Sequence, residues 1–399
     1  VSEIGPFGQG GPFEDLMRNL ARLFSSPGPV NWEVARQFAQ WAATAGTPEA
    51  NVDPLARVRF EELVRVAELH VSDATGLATP GGTILSLAAV TRSDWALRSL
   101  EAWRPLLERL GAAVASSTAD LEDTSPGEDP MAQLFGNLPQ MLGPFLFGVQ
   151  AGSMVGQLAA HAMGQYDLPM PRPPGNELLV VPDAVDSFAR EWSLAVDDVR
   201  LWVCLREVTY HTVLAQPHVR DTLDRMIGDY VSAFHPDLGL IEERLGGFDP
   251  TDLSSLQSAF GDPAAVLGDL QSDAQRRLQV PLGSLLAVVA GYTDHIMDRV
   301  GRRLIDHYPS LTEALHRRRV EEHPGARSLA QLLGVELGAA GYERGKAFVD
   351  GVVERADEAT LARLWRSASG LPTPAEVDAP GLWLARIELG LPGGGAGGC

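Results

Sequence analysis

Leu205-Arg206-Glu207-Val208-Thr209-Tyr210-His211 is the stretch on which the reading of this chain turns. Its frame is that of H-E-x-x-H. In that motif two histidines four residues apart share one helix face and hold zinc, and the Glu between them polarises a zinc-bound water. Here Arg206 stands at the first histidine position and Tyr210 at the second, while Glu207 keeps the acid. A guanidinium is always protonated and cannot ligate a metal. A phenol, with a reference pKa of about 10, is a poor ligand near neutrality. The frame implies a hydrolase architecture whose metal ligands have been exchanged.

The flanking residues place this stretch on a helix of about Val196 to Ala215. Its apolar residues lie nearly all round the helix, as expected for a central, covered element. Ser193 is the expected cap and Pro217 ends the helix. His218 to Phe234 then returns as a second helix. Upstream, Asn31 caps a helix from Trp32 to about Ala45. Pro54 begins another, to about Ser72, and Ser93 caps a third carrying Trp95, Leu100 and Trp103. Residues 130–166 contain no Asp, Glu, Lys or Arg, and Gly148, Gly152, Gly156, Ala160 and Gly164 recur within them every fourth residue. Five small residues on one face let a second helix backbone approach closely. Asn137, Gln140, Gln150, Gln157 and His161 interrupt the run, which favours a buried helix of a bundle over a membrane span. Downstream, helices are expected at about Leu282 to Leu304 and near 310–320, 327–338, 341–353 and 358–368. A strand is suggested only at Leu178 to Val181. The fold class is therefore mainly α, with at most minor strands.

Residues 1–28 read as a flexible lead-in and 391–399 as a disordered glycine-rich tail, leaving a single helical domain over 29–390. A sub-boundary is possible at the proline-rich connector 168–176. The stretch 116–130 reads as a solvated loop and 235–265 as an acidic, loop-rich insert. The net charge of −20 argues against non-specific nucleic-acid binding. Its single lysine, Lys346, among many arginines reflects a GC-rich coding bias more readily than a function. Two cysteines, Cys204 in an apolar helix and Cys399 at the end of the tail, imply no disulfide framework. With no secretory signal at the start of the sequence, this fits a reducing cytoplasm.

These residues resemble the bacterial zincin-like metallopeptidase family, formerly a domain of unknown function, whose members carry a hydrolase label and in some cases a link to deazaflavin coenzyme biosynthesis. The resemblance runs from Pro29-Val30-Asn31-Trp32 through Ala74-Thr75-Gly76-Leu77, the glycine helix and Leu201–Thr209. It continues to Gly291-Tyr292-Thr293-Asp294-His295-Ile296-Met297-Asp298 and Leu371-Pro372-Thr373. It implies a multi-helix zincin-like fold. It also implies a third ligand in a Glu-Gly pair where this chain has Ala290-Gly291, so Arg206, Tyr210 and Ala290 all lack the expected donors. On this basis the chain is expected to be a pseudoenzyme. Glu207 would be a remnant general base, no cofactor would be needed, and the cleft could still bind a small molecule or peptide. Arg206 is expected either to pair with Glu207 or Asp294 in place of metal or to snorkel along the helix to solvent. The alternative is an active zinc hydrolase with a relocated site built from Glu207, His211, Asp294, His295 and Asp298. A third possibility is an assembly partner acting through the N-terminal flank. Oligomeric state is not legible.

Overall fold

The computed structural model describes residues 28–77, 85–119, 138–234, 271–320 and 324–391. Most of the lead-in, the acidic loop, the insert and the tail lie outside these residues. The first helices are α1 (Trp32–Thr44), α2 (Pro54–Thr75), α3 (Arg92–Ala119) and α4 (Leu138–His161). Then come α5 (Pro182–Glu191), α6 (Val196–Leu214), α7 (Pro217–Ser232), α8 (Asp273–Leu304) and α9 (Tyr308–Val320). The last are α10 (Pro324–Leu332), α11 (Ala339–Arg355), α12 (Glu358–Leu361), α13 (Pro374–Asp378) and α14 (Pro380–Glu388). Two short 3-10 helices, Ala362–Trp365 and Ala368–Gly370, and two four-residue strands, β1 (Ser86–Ala89) and β2 (Glu177–Val180), complete the described elements. They pair in parallel, with Ser86 opposite Glu177 and Ala89 opposite Val180. Parallel pairing requires a long crossover, and α3 and α4 supply it.

The mainly helical expectation holds, and α1, α2, α6 and α7 begin and end close to where periodicity and caps put them. Asn31 caps α1 through its side chain, which accepts from the Val34 N–H at 3.2 Å. Other local expectations need correction. Thr91, not Ser93, caps α3, its hydroxyl accepting from the Asp94 N–H at 3.2 Å. Ser193 does not cap α6. It turns the chain with φ +52°, and Ala195 occupies the cap position. The helix expected to begin at Leu282 begins at Asp273 and carries Pro281 inside it. The reason is a reciprocal capping box. Ser272 Oγ accepts from the Gln275 N–H and Gln275 Oε1 accepts from the Ser272 N–H. Burial of Leu282, Leu285 and Leu286 just beyond then offsets the hydrogen bond Pro281 removes.

The glycine helix packs as its spacing implied, up to a point. Helix α1 crosses α4 so closely that a Cβ on Gly152 would overlap the Ala35 carbonyl oxygen, and one on Gly156 that of Ala39. Gly164 departs from the expected stripe. Helix α4 ends at His161, and Gly164 lies in the loop beyond it, bridged to Val180. One apolar cluster of buried side chains reaches from Val30 to Ile387, with members on both sides of the 168–176 connector. Among the described residues one helix, α8, is long and apolar enough to cross a membrane, but 72% of that window is buried inside the structure, as in a core helix.

Candidate functional site

Helix α6 runs through the core with Val199, Val203, Cys204, Leu205 and Val213 buried on its several sides. Glu207 sits in the middle of it, with no solvent exposure. A buried carboxylate needs partners, and the loop after α4 provides them. The Tyr166 backbone N–H donates to Glu207 Oε2 at 2.7 Å. Arg206 Nη1 donates to Glu207 Oε1 at 2.8 Å and to Asp167 Oδ1 at 3.0 Å, while its Nη2 donates to the Tyr166 carbonyl at 3.1 Å. The same guanidinium lies 5.0 Å from the centre of the Tyr210 ring and 5.8 Å from that of Trp202. It therefore occupies the ground between the two motif positions, held by two carboxylates, a carbonyl and aromatic faces.

Gly164 explains why the loop can come so close. A side chain there would collide with the Glu207 carboxyl group. Trp95 locks the loop from the other side, its indole N–H donating to the Gly164 carbonyl at 2.9 Å. Asp167 is fixed in turn by the Met163 N–H and lies 3.9 Å from Arg318. Burial raises the Glu207 carboxyl to about 7, with Arg206 and the Tyr166 N–H acting in the opposite direction.

On the neighbouring face, His211 Nδ1 and the Tyr166 hydroxyl are 3.0 Å apart. The Tyr166 ring also stacks against Tyr210 at 5.9 Å. Burial lowers His211 to about 4, so the imidazole is neutral at pH 7. It raises the Tyr166 phenol. His211 Nε2 is buried and has no hydrogen-bond partner.

The residues named for a relocated site are not gathered in this way. His295 Nε2 is 2.9 Å from Glu358 Oε1. Asp298 accepts from the Tyr308 hydroxyl at 2.9 Å and pairs with Arg302. Asp294 is half-buried on α8. Among the described residues no three His, Cys, Asp or Glu side chains converge to hold a metal. Ala290 is buried in a small apolar group with Ala287, Leu337 and Tyr342. A structural zinc needs four donors, and a catalytic one needs three plus an open position. The donor set here, a guanidinium across two carboxylates with a tyrosine one turn on, does not fit that ion.

Sequence reasoning placed Arg206, Glu207, Tyr210 and His211 on one helix and named Gly164 only as part of a helix stripe, but missed Tyr166, Asp167 and Arg172. A signal existed. Asp167 is the first ionisable residue after the charge-free run 130–166, and Arg172 is the sole base in the connector 168–176.

Two clefts flank this centre. A small one of about 170 Å³ opens on the metal-position side, lined by Asp167, Trp202, Arg206 and Arg318. A larger one of about 990 Å³ opens on the Tyr166 and His211 side.

Comparison with known proteins gives the architecture a context. A solved structure, that of a candidate hydrolase with a novel fold from Chloroflexus aurantiacus, superposes with a TM-score of 0.60 at 22% identity. The match covers 90% of this chain and 99% of that one, and at such identity the likeness is one of fold alone. No curated protein matches the chain. The model of the zincin-like metallopeptidase family matches residues 30–384, which takes in both strands and all but the last helix turn. On the strength of that span, this chain belongs to the zincin-like metallopeptidase family.

Proposed function

We propose that this chain keeps the zincin-like hydrolase architecture without zinc-dependent hydrolysis, and that it works as a binding protein for a small molecule or peptide. The observation that carries the reading is the Arg206 guanidinium, which reaches both Glu207 and Asp167 within 3.0 Å. A fixed cation supplies the charge balance that a metal supplies in a working site. It offers no open coordination position and activates no water. Glu207, locked by Arg206 and the Tyr166 N–H, acts as a structural anchor for the loop that forms the cleft wall.

Metal analysis of full-length protein purified without a His-tag tests this. The expected result is zinc far below one equivalent, with any background peptide hydrolysis unchanged by Glu207→Gln. A full equivalent of zinc, together with hydrolysis that Glu207→Gln abolishes, overturns the reading.

A further inference from the structure

We propose that the cleft beside Tyr166 and His211 binds a small organic anion, with Arg172 as its counter-ion and His211 as a hydrogen-bonding floor. The inference rests on the binding-protein reading above, but its test uses no metal, so the two can fail separately.

The cleft's size is the first ground. At about 990 Å³ it has the volume of a small-molecule site, whereas the 170 Å³ cleft at the metal position is too small for most ligands. Its walls are the second. Pro173, Pro174, Leu179 and Leu214 give apolar surface, Gln165, Tyr166 and His211 are its buried polar groups, and two exposed carboxylates of the lining, Glu101 and Glu177, are each paired with an arginine. Charge is the third. Three guanidiniums line the cleft, in a chain whose net charge is −20. Arg98 is tied to Glu177 and Arg220 to Asp221. Arg172 differs. It donates to two neutral oxygens, Ser99 Oγ at 2.9 Å and the Gln165 carbonyl at 3.3 Å, and lies over the Trp103 ring at 4.8 Å. Its Nε is buried and has no hydrogen-bond partner. Among the described residues no carboxylate lies within ion-pair distance of it, and Glu207 acts on it only through space. Desolvation without a direct counter-ion is the state an incoming carboxylate or phosphate relieves.

His211 is the fourth ground. Its side chain is 3% exposed and lines the cleft, and the Tyr166 hydroxyl holds the ring through Nδ1. That leaves Nε2 as a buried polar atom unmatched by the protein. A ligand whose anionic group meets the Arg172 guanidinium and which carries one more polar group on the His211 side supplies the counter-charge and the polar partner that the protein itself leaves out. Its apolar body would lie along the prolines.

Isothermal titration of the full chain with benzoate, inorganic phosphate and the neutral benzamide tests the proposal. Saturable binding of benzoate or phosphate at millimolar concentration is expected, without binding of benzamide, and the two anions separate a carboxylate site from a phosphate site. Arg172→Gln should weaken the anion about tenfold or more, and His211→Asn should weaken it less. Ala102→Trp, on the half-buried cleft wall, should block binding while leaving the melting temperature unchanged, which keeps the test decisive should Arg172→Gln fold poorly. The proposal is overturned if neither anion binds, if benzamide binds as well as benzoate, or if folded Ala102→Trp binds like the unaltered protein.

Discussion

Two titratable groups one turn apart on α6 are pushed in opposite directions by the same burial. Glu207 is raised to about 7 and His211 lowered to about 4. Each shift has a definite sign in stability. The His211 pKa lies below its unfolded value, so below about pH 6.5 the unfolded chain takes up a proton that the folded one refuses. That stability is lost as pH falls. Glu207 lies above its unfolded value, so the folded chain takes up a proton first and gains stability over the same range. The two effects act in opposite directions over the same acid range. Urea melts of two variants separate them. His211→Gln should lose less stability than the unaltered protein on acidification, and Glu207→Gln should lose more. Parallel pH profiles for all three proteins would show that neither group is held as described. At this scale the sequence carried the Arg206–Glu207 pairing, because the residues are adjacent and an acid in a helix core needs a cation. It did not carry Asp167 or Tyr166. They come from a loop some forty residues upstream, and only the fold brings that loop over α6.

Helices were legible where a start signal met an apolar stripe, as at the Asn31 cap and at Pro54, but the Ser272 capping box that starts α8 was overlooked. The strand β1, with the sequence Ser-Leu-Ala-Ala, was not legible, since one leucine among three small residues carries no alternation. Its existence depends on β2, ninety residues later. Helix α5 was readable from Ala184, Val185, Phe188 and Ala189 on one face and was overlooked. The spacing of small residues on α4 marked a close helix crossing, and the backbone of α1 fills it. This has a consequence that intrinsic propensity alone would reverse. Glycine to alanine within an exposed helix gains up to about 1 kcal/mol. Gly283, on α8, has open space where a Cβ would go, and Gly283→Ala should raise stability by a few tenths to about 1 kcal/mol. Gly152 faces the Ala35 carbonyl, and Gly152→Ala should lower it by about 1–3 kcal/mol, with Gly152→Leu worse. Denaturant midpoints at equal slope decide the matter. A neutral Gly152→Ala would mean that α1 and α4 are not in backbone contact.

At the scale of the whole molecule, α6 ties the fold together. It packs against α2, α5, α7 and α8, and Arg206, Glu207, Tyr210 and His211 ride on it. Cys204, one turn before Val208, has no exposed surface, and burial raises its thiol well above the ordinary range, with Glu207 adding to the effect. A thiol reacts as its thiolate and only when reached. Local fraying at the ends of α6 does not expose its middle, so labelling of Cys204 requires opening of the elements around it. Pulsed alkylation along a urea gradient, with the modified peptide identified by mass spectrometry, should therefore leave Cys204 unmodified until tryptophan fluorescence reports global unfolding. The two midpoints should coincide. Labelling of Cys204 well below the fluorescence transition would show that α6 opens as a separate unit. In that case the Arg206–Glu207–Asp167 contact would be a local latch on one sub-structure, not part of one cooperative core, and the cleft beside His211 would be expected to loosen with it.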